Sequence, residues 1–107
     1  MTVLQNFTFF NEATATGESP ILKNIHGEAL TVCVSGTFVG TIVLNGKQGG
    51  EDFTLTVVNL ADLESATSIT AAGSYEVVCP HGFEEITAEI SEYTSGSITV
   101  TGRLCAE

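Results

Sequence analysis

Apolar and polar residues alternate with a period of two along most of this chain, as they do in strands that bury one face. The clearest stretch is Leu30–Ser35, where Leu30, Val32 and Val34 take the core side and Thr31, Cys33 and Ser35 the other. After Gly36-Thr37, the residues Phe38, Gly40, Ile42 and Leu44 alternate with Val39, Thr41 and Val43. Gly40 inside that strand predicts a bulge or a close backbone approach. Asn45-Gly46 is a strong turn signal, followed closely by Gly49-Gly50. Asp52–Leu60 reads as the next strand, with Phe53, Leu55 and Val57 on one side. Ala61–Glu64 is long enough for a helical turn but not for a helix. Ser68–Ala71 is a short edge segment, and Tyr75–Cys79 a strand that Pro80-His81-Gly82 must end, because proline cannot continue a central ladder. Glu85–Glu92 points Ile86, Ala88 and Ile90 inward. Thr94-Ser95-Gly96 is the last turn, and Ser97–Cys105 the closing strand.

No amphipathic helix longer than a turn or two interrupts this pattern. About eight short strands with turn signals every ~8–12 residues predict an all-β fold, a single antiparallel β-sandwich with jelly-roll-like or immunoglobulin-like connections. The 107 residues suffice for one such domain, 1–107, and no linker or repeat divides it. Residues 1–12 stand apart as a docking strand or arm. There Leu4, Phe7, Phe9 and Phe10 form a dense apolar set ahead of a polar stretch. An ordinary first strand packed on the core is the simpler reading of those four, and docking on a partner the functional one.

Charge narrows the function classes. Thirteen acidic residues against three basic ones give a net charge of −10. Lys23, Lys47 and Arg103 cannot form a surface that tracks phosphates, so nucleic acid and anionic membranes are excluded as partners. The acidity suits a solvated outer face. The residues after Met1 show neither a basic n-region nor an apolar h-region, so the chain is expected to be made and folded in the cytoplasm. Cys33, Cys79 and Cys105, odd in number and widely spaced, are expected as free and mostly buried thiols.

Candidate chemistry is sparse. His26 and His81 both lie in expected turns without a nucleophile or orienting partner, and no serine sits in a Gly-x-Ser-x-Gly elbow. Cys79 and His81, joined by Cys33 and Cys105, would supply the ligand types of a Cys3His zinc site, but the spacing matches no compact zinc motif. Glu51-Asp52 and Glu84-Glu85, with Glu89 and Glu92, lack the spacing of a calcium loop. No enzyme activity, metal or cofactor is expected.

Five segments carry a resemblance: Val32–Ile42, Val57–Leu60, Ser68–Tyr75, Glu85–Ile90 and Tyr93–Val100. In order and phrasing they resemble small β-sandwich proteins of tailed-bacteriophage virions, over about three-quarters of the chain. Relatives of that kind often carry a basic residue in the penultimate strand, where Thr87 and Glu89 flank Ala88 here. The resemblance implies a non-enzymatic virion component, foremost a capsid decoration or accessory protein. Its partner would be the major capsid protein or another virion protein, and it would be homo-oligomeric and assembled in the host cytoplasm. A carbohydrate-binding or adhesion module of a fibre is the alternative, and would need an exposed aromatic platform. The chain has no Trp, and Tyr75 and Tyr93 are its only tyrosines.

Overall fold

A computed structural model describes residues 2–23 and 29–106; His26 and the turn expected around it lie outside them. The described residues form eleven strand segments: β1 (Thr2–Ala13), β2 (Gly17–Glu18), β3 (Leu22–Lys23), β4 (Ala29–Ser35), β5 (Phe38–Gln48), β6 (Glu51–Thr54), β7 (Val57–Asn59), β8 (Ser65–Ala66), β9 (Gly73–Val77), β10 (Glu85–Gly96) and β11 (Ile98–Ala106). They build an antiparallel β-sandwich. The first sheet has the order β1-β11-β4-β9-β7-β8, and the second β2-β10-β5-β6 with β3 also paired to β10.

Alternation places the core as the sequence predicts. Leu30, Val32 and Val34 of β4, Ile42 and Leu44 of β5, Ile86, Ala88 and Ile90 of β10, and Ile98, Val100 and Leu104 of β11 are buried in one cluster between the sheets. Gly40 meets β10 closely, because a Cβ there would lie 2.7 Å from the Glu92 carbonyl oxygen. The β10 register shifts on either side of that approach, between Ile90 and Glu92 and between Tyr93 and Ser95.

Several expected boundaries move. Asn45-Gly46 is no turn: β5 runs through it, with Asn45 opposite Thr87 on one side and Thr54 on the other. The hairpin turns instead at Gly49-Gly50, where φ values of 61° and 84° suit a tight two-residue loop. Gly46 serves packing, since a side chain there would collide with the Phe83 ring. The expected strand Asp52–Leu60 is two strands in different sheets. The chain crosses at Leu55-Thr56, with Leu55 N–H donating to Leu44 O and Thr56 O accepting from Val78 N–H. Phe53 is accordingly exposed, whereas Leu55 and Val57 are buried. Ala61–Glu64 holds no helix; the Asn59 and Asp62 side chains accept from the backbone N–H groups of Ala61 and Glu64 and close two local turns. Ser68–Ala71 contributes one bridge, Ile69 opposite Ile42.

The last expected turn also shifts. β10 continues through Thr94-Ser95-Gly96, paired with β5 as far as Gly96 opposite Phe38. There both β4–β5 and β10–β11 pass from one sheet to the other, side by side. Gly36 (φ 108°) and Gly96 (φ 92°) make the two bends. A Cβ on Gly36 would run into the Ser97 carbonyl, and one on Gly96 into the Thr37 carbonyl. Ser97 N–H donates to Thr37 O at 3.1 Å and ties the crossings together.

Candidate docking surface

The N-terminal apolar set forms the edge of the first sheet. β1 pairs antiparallel with β11 from Thr2 opposite Ala106 to Ala13 opposite Ile98, with register shifts after Val3, Thr8 and Phe10. The shift after Thr8 brings the consecutive residues Phe9 and Phe10 both against the core. Phe9 is 2 % exposed and covers Gly102, where a Cβ would lie 2.9 Å from Cε2 of its ring. Phe7 meets Phe9 edge to face, with ring centroids 4.9 Å apart. The docking expectation therefore narrows. Phe9 belongs to the core, Phe7 and Phe10 are half-buried against it, and only Leu4 of the four is exposed, beside exposed Val3. Burial, not projection, is the physical reason: three phenylalanines fill the space where β1 closes one side of the sandwich.

The two outer faces differ in chemistry. On the first sheet, a concavity of about 500 Å³ lies across β1, β11 and β4. Thr8, Thr31 and Thr101 line it together with Asn6, Phe7, Cys33 and Gly102, and Arg103 is its one charge. On the second sheet, a concavity of about 470 Å³ is lined by Glu18, Asp52, Glu85 and Glu89, with Lys47 among them. Glu18 stands directly opposite Glu89 in the ladder, an unfavourable like-charge pair. Asn45 Nδ2 donates to Glu89 Oε1 at 3.1 Å. This weakly charged surface is only half legible in the sequence. Alternation sends Thr31, Cys33 and Ser35 outward, but the side-by-side placement of β1, β11 and β4 is a matter of sheet order.

The other candidates are dispersed. All three cysteines are free, but Cys33 and Cys79 are exposed and only Cys105 is buried, which corrects the expectation of mostly buried thiols. Cys33 faces outward from β4, and Cys79 sits at φ 51° just past the end of β9, so neither position points inward. His81 lies exposed in a 3-10 turn, Pro80–Gly82. Among the described residues no three of His, Cys, Asp and Glu lie grouped to hold a metal. Tyr75 is buried and donates to Ala71 O at 2.8 Å. Burial pushes its phenol above the ordinary value, and the charge of Asp62 adds to this. Tyr93 packs half-buried against the core with its hydroxyl donating to Gly96 O at 2.6 Å. Both tyrosine hydroxyls are thus engaged within the fold.

Against known proteins, a family model named XepA matches residues 3–104. Two solved structures share the fold. The SPBc2 prophage-derived protein YomS is 27 % identical with a TM-score of 0.82, the match covering 92 % of this chain and 89 % of that one. The PBSX exported protein XepA is 26 % identical with a TM-score of 0.84; 92 % of this chain corresponds to 36 % of that longer one. No curated protein sequence matches the chain.

Proposed function

The chain belongs to the XepA family, and from that premise we propose that it is a non-enzymatic accessory protein of a bacteriophage or prophage, working by assembly as a decoration subunit on the phage shell. The observation that carries this reading is its agreement, over 92 % of its length, with a prophage-derived protein of similar size. The same sandwich occupies about a third of the longer XepA chain, as befits a module used alone or within a larger part. The surface chemistry supports a contact role. The concavity of the first sheet, with Arg103 as its one charge, can lie against another protein without desolvating many charges, whereas the acidic face of the second sheet suits solvent. The proposed partner is the major capsid protein or another virion protein, met in the host cytoplasm and retained in the virion. Leu4 is the member of the N-terminal apolar set left free to touch it.

Export is the second reading, favoured by one observation: its relative XepA is described as an exported protein. A carbohydrate-binding or adhesion role has less support, because Tyr75 and Tyr93 are both engaged within the fold.

Density-gradient separation of lysate from an induced host, followed by immunodetection, tests the proposal. The chain should band with intact particles in fixed stoichiometry to the major capsid protein, and should rebind stripped particles when added back. Recovery only as free protein, in lysate or culture medium, would overturn the decoration role and favour export.

A further inference from the structure

The concavity on the outer face of the first sheet surrounds one cation with neutral side chains. Arg103 stands opposite Asn6 of β1 on one side and Thr31 of β4 on the other. The neighbouring row places Thr8, Thr101 and Cys33 side by side. Alternate residues of a strand share a face, so Thr101 flanks Arg103 along β11 and Cys33 lies on its diagonal, ~7–8 Å away. Arg103, Asn6, Thr8 and Cys33 are exposed. None of the residues lining the concavity is acidic, although the chain carries thirteen carboxylates. In the ladder the next carboxylate is Glu76, one strand beyond Thr31; two strand spacings put its backbone ~10 Å from that of Arg103.

We propose that this concavity receives the carboxylate of an aspartate or glutamate side chain on the virion protein that the chain decorates. The inference rests on the assembly reading and names the group that the partner must bring. A partner that covers the concavity takes Arg103 out of water. A guanidinium keeps its proton in proteins, so it stays charged, and burying it without a counter-charge is costly. Its ladder neighbours Asn6 and Thr31 are neutral and cannot supply that charge. A carboxylate can, and it meets the planar fork through two parallel hydrogen bonds. The hydroxyls of Thr8, Thr31 and Thr101 and the Asn6 amide are donors for its remaining lone pairs. A phosphate group suits the site less. It carries up to about two charges, which a chain at −10 repels more strongly than one. The concavity offers it no second cation, and its lining residues all lie on strands, with no helix N-terminus among them. A basic segment would be drawn to the acidic face of the second sheet instead.

Cys33 reports on the site, and Cys79, also exposed but outside the concavity, is the internal control. Iodoacetate carries a carboxylate and iodoacetamide is its neutral analogue; with either, the thiolate sulfur forms a C–S bond and iodide leaves. Peptide mass spectrometry gives both rates at both thiols. Dividing the iodoacetate rate by the iodoacetamide rate cancels differences in thiol acidity and access. That ratio should be at least ~3-fold higher at Cys33 than at Cys79, and Arg103→Gln should remove the difference. Arg103→Lys, which keeps the charge and loses the fork, should retain less than half of it. On stripped particles Arg103→Gln should weaken rebinding at least ~10-fold at an unchanged unfolding midpoint, whereas Lys47→Gln, the same loss of charge on the other face, should change it less than about threefold. In bound chains Cys33 should be shielded from iodoacetamide and Cys79 open. Equal ratios at the two thiols, or a Cys33 preference that survives Arg103→Gln or is undiminished in Arg103→Lys, would overturn the site. Rebinding with Cys33 still open and Arg103→Gln without effect overturns the docking and leaves the decoration role. A Cys33 preference in a chain that never rebinds overturns the partner, leaving a site for free carboxylic acids, and removes the decoration role.

Discussion

Ser19 completes a ladder that Pro20 interrupts. Proline has no N–H to give, and the β2–β3 edge breaks there. The Ser19 backbone N–H still donates to Ala88 O at 2.8 Å, and its hydroxyl accepts from the buried Ala88 N–H at 2.9 Å while donating to Pro20 O at 2.8 Å. Ser19→Ala removes the acceptor and leaves a buried donor unpaired. The expected loss is about 1–3 kcal/mol, measurable as a lower midpoint in urea at unchanged slope. A loss below about 0.5 kcal/mol would mean that water replaces the hydroxyl. Nothing local marks this residue, since a serine before a proline reads as ordinary loop. Its role depends on β10 lying alongside, nearly seventy positions away in sequence.

Elements were legible where alternation is strong and misplaced where one strand serves two sheets. β4 and the inward residues of β10 and β11 follow directly from their patterns. β5 does not stop at Asn45-Gly46, because long pairing with β10 carries it onward and Gly46 is needed small beneath Phe83. The double crossing at Gly36 and Gly96 is the element on which the sandwich closes. Gly96→Ala places a Cβ against the Thr37 carbonyl at a φ that suits glycine, and should cost more than about 1 kcal/mol. Gly82→Ala, where a Cβ meets nothing within 4 Å, should stay within about 0.5 kcal/mol. Equal effects in thermal unfolding would show that the corner tolerates a shift. β1 takes the simpler of the two readings of its apolar set: it is an edge strand of the first sheet, with Phe9 in the core and Phe7 and Phe10 half-buried against it.

For the whole molecule, electrostatics is the term most open to test. The fold measures 36 × 31 × 23 Å, so at ~0.01 M salt the ~30 Å screening length spans it, and at ~0.1 M the ~10 Å length does not. With a net charge of −10 and Glu18 opposite Glu89, self-repulsion should lower stability at low salt. The melting midpoint at low micromolar protein should rise by several degrees between those two conditions. Glu18→Gln should raise it at low salt and matter little at high salt. A midpoint independent of salt would show that the charges are too dispersed to act together.

The sequence alone determined the fold class, the inward residues of the main strands and the acidic balance, because alternation and composition act locally and are written in single residues. Tertiary structure decided which strands become neighbours. It gathered carboxylates on the outer face of the second sheet, put Phe9 in the core with Phe7 and Phe10 half-buried against it, and placed β1 at the edge of the first sheet. Those properties depend on sheet order and on which edge is left unpaired, and such long-range pairing has no signature in any one segment.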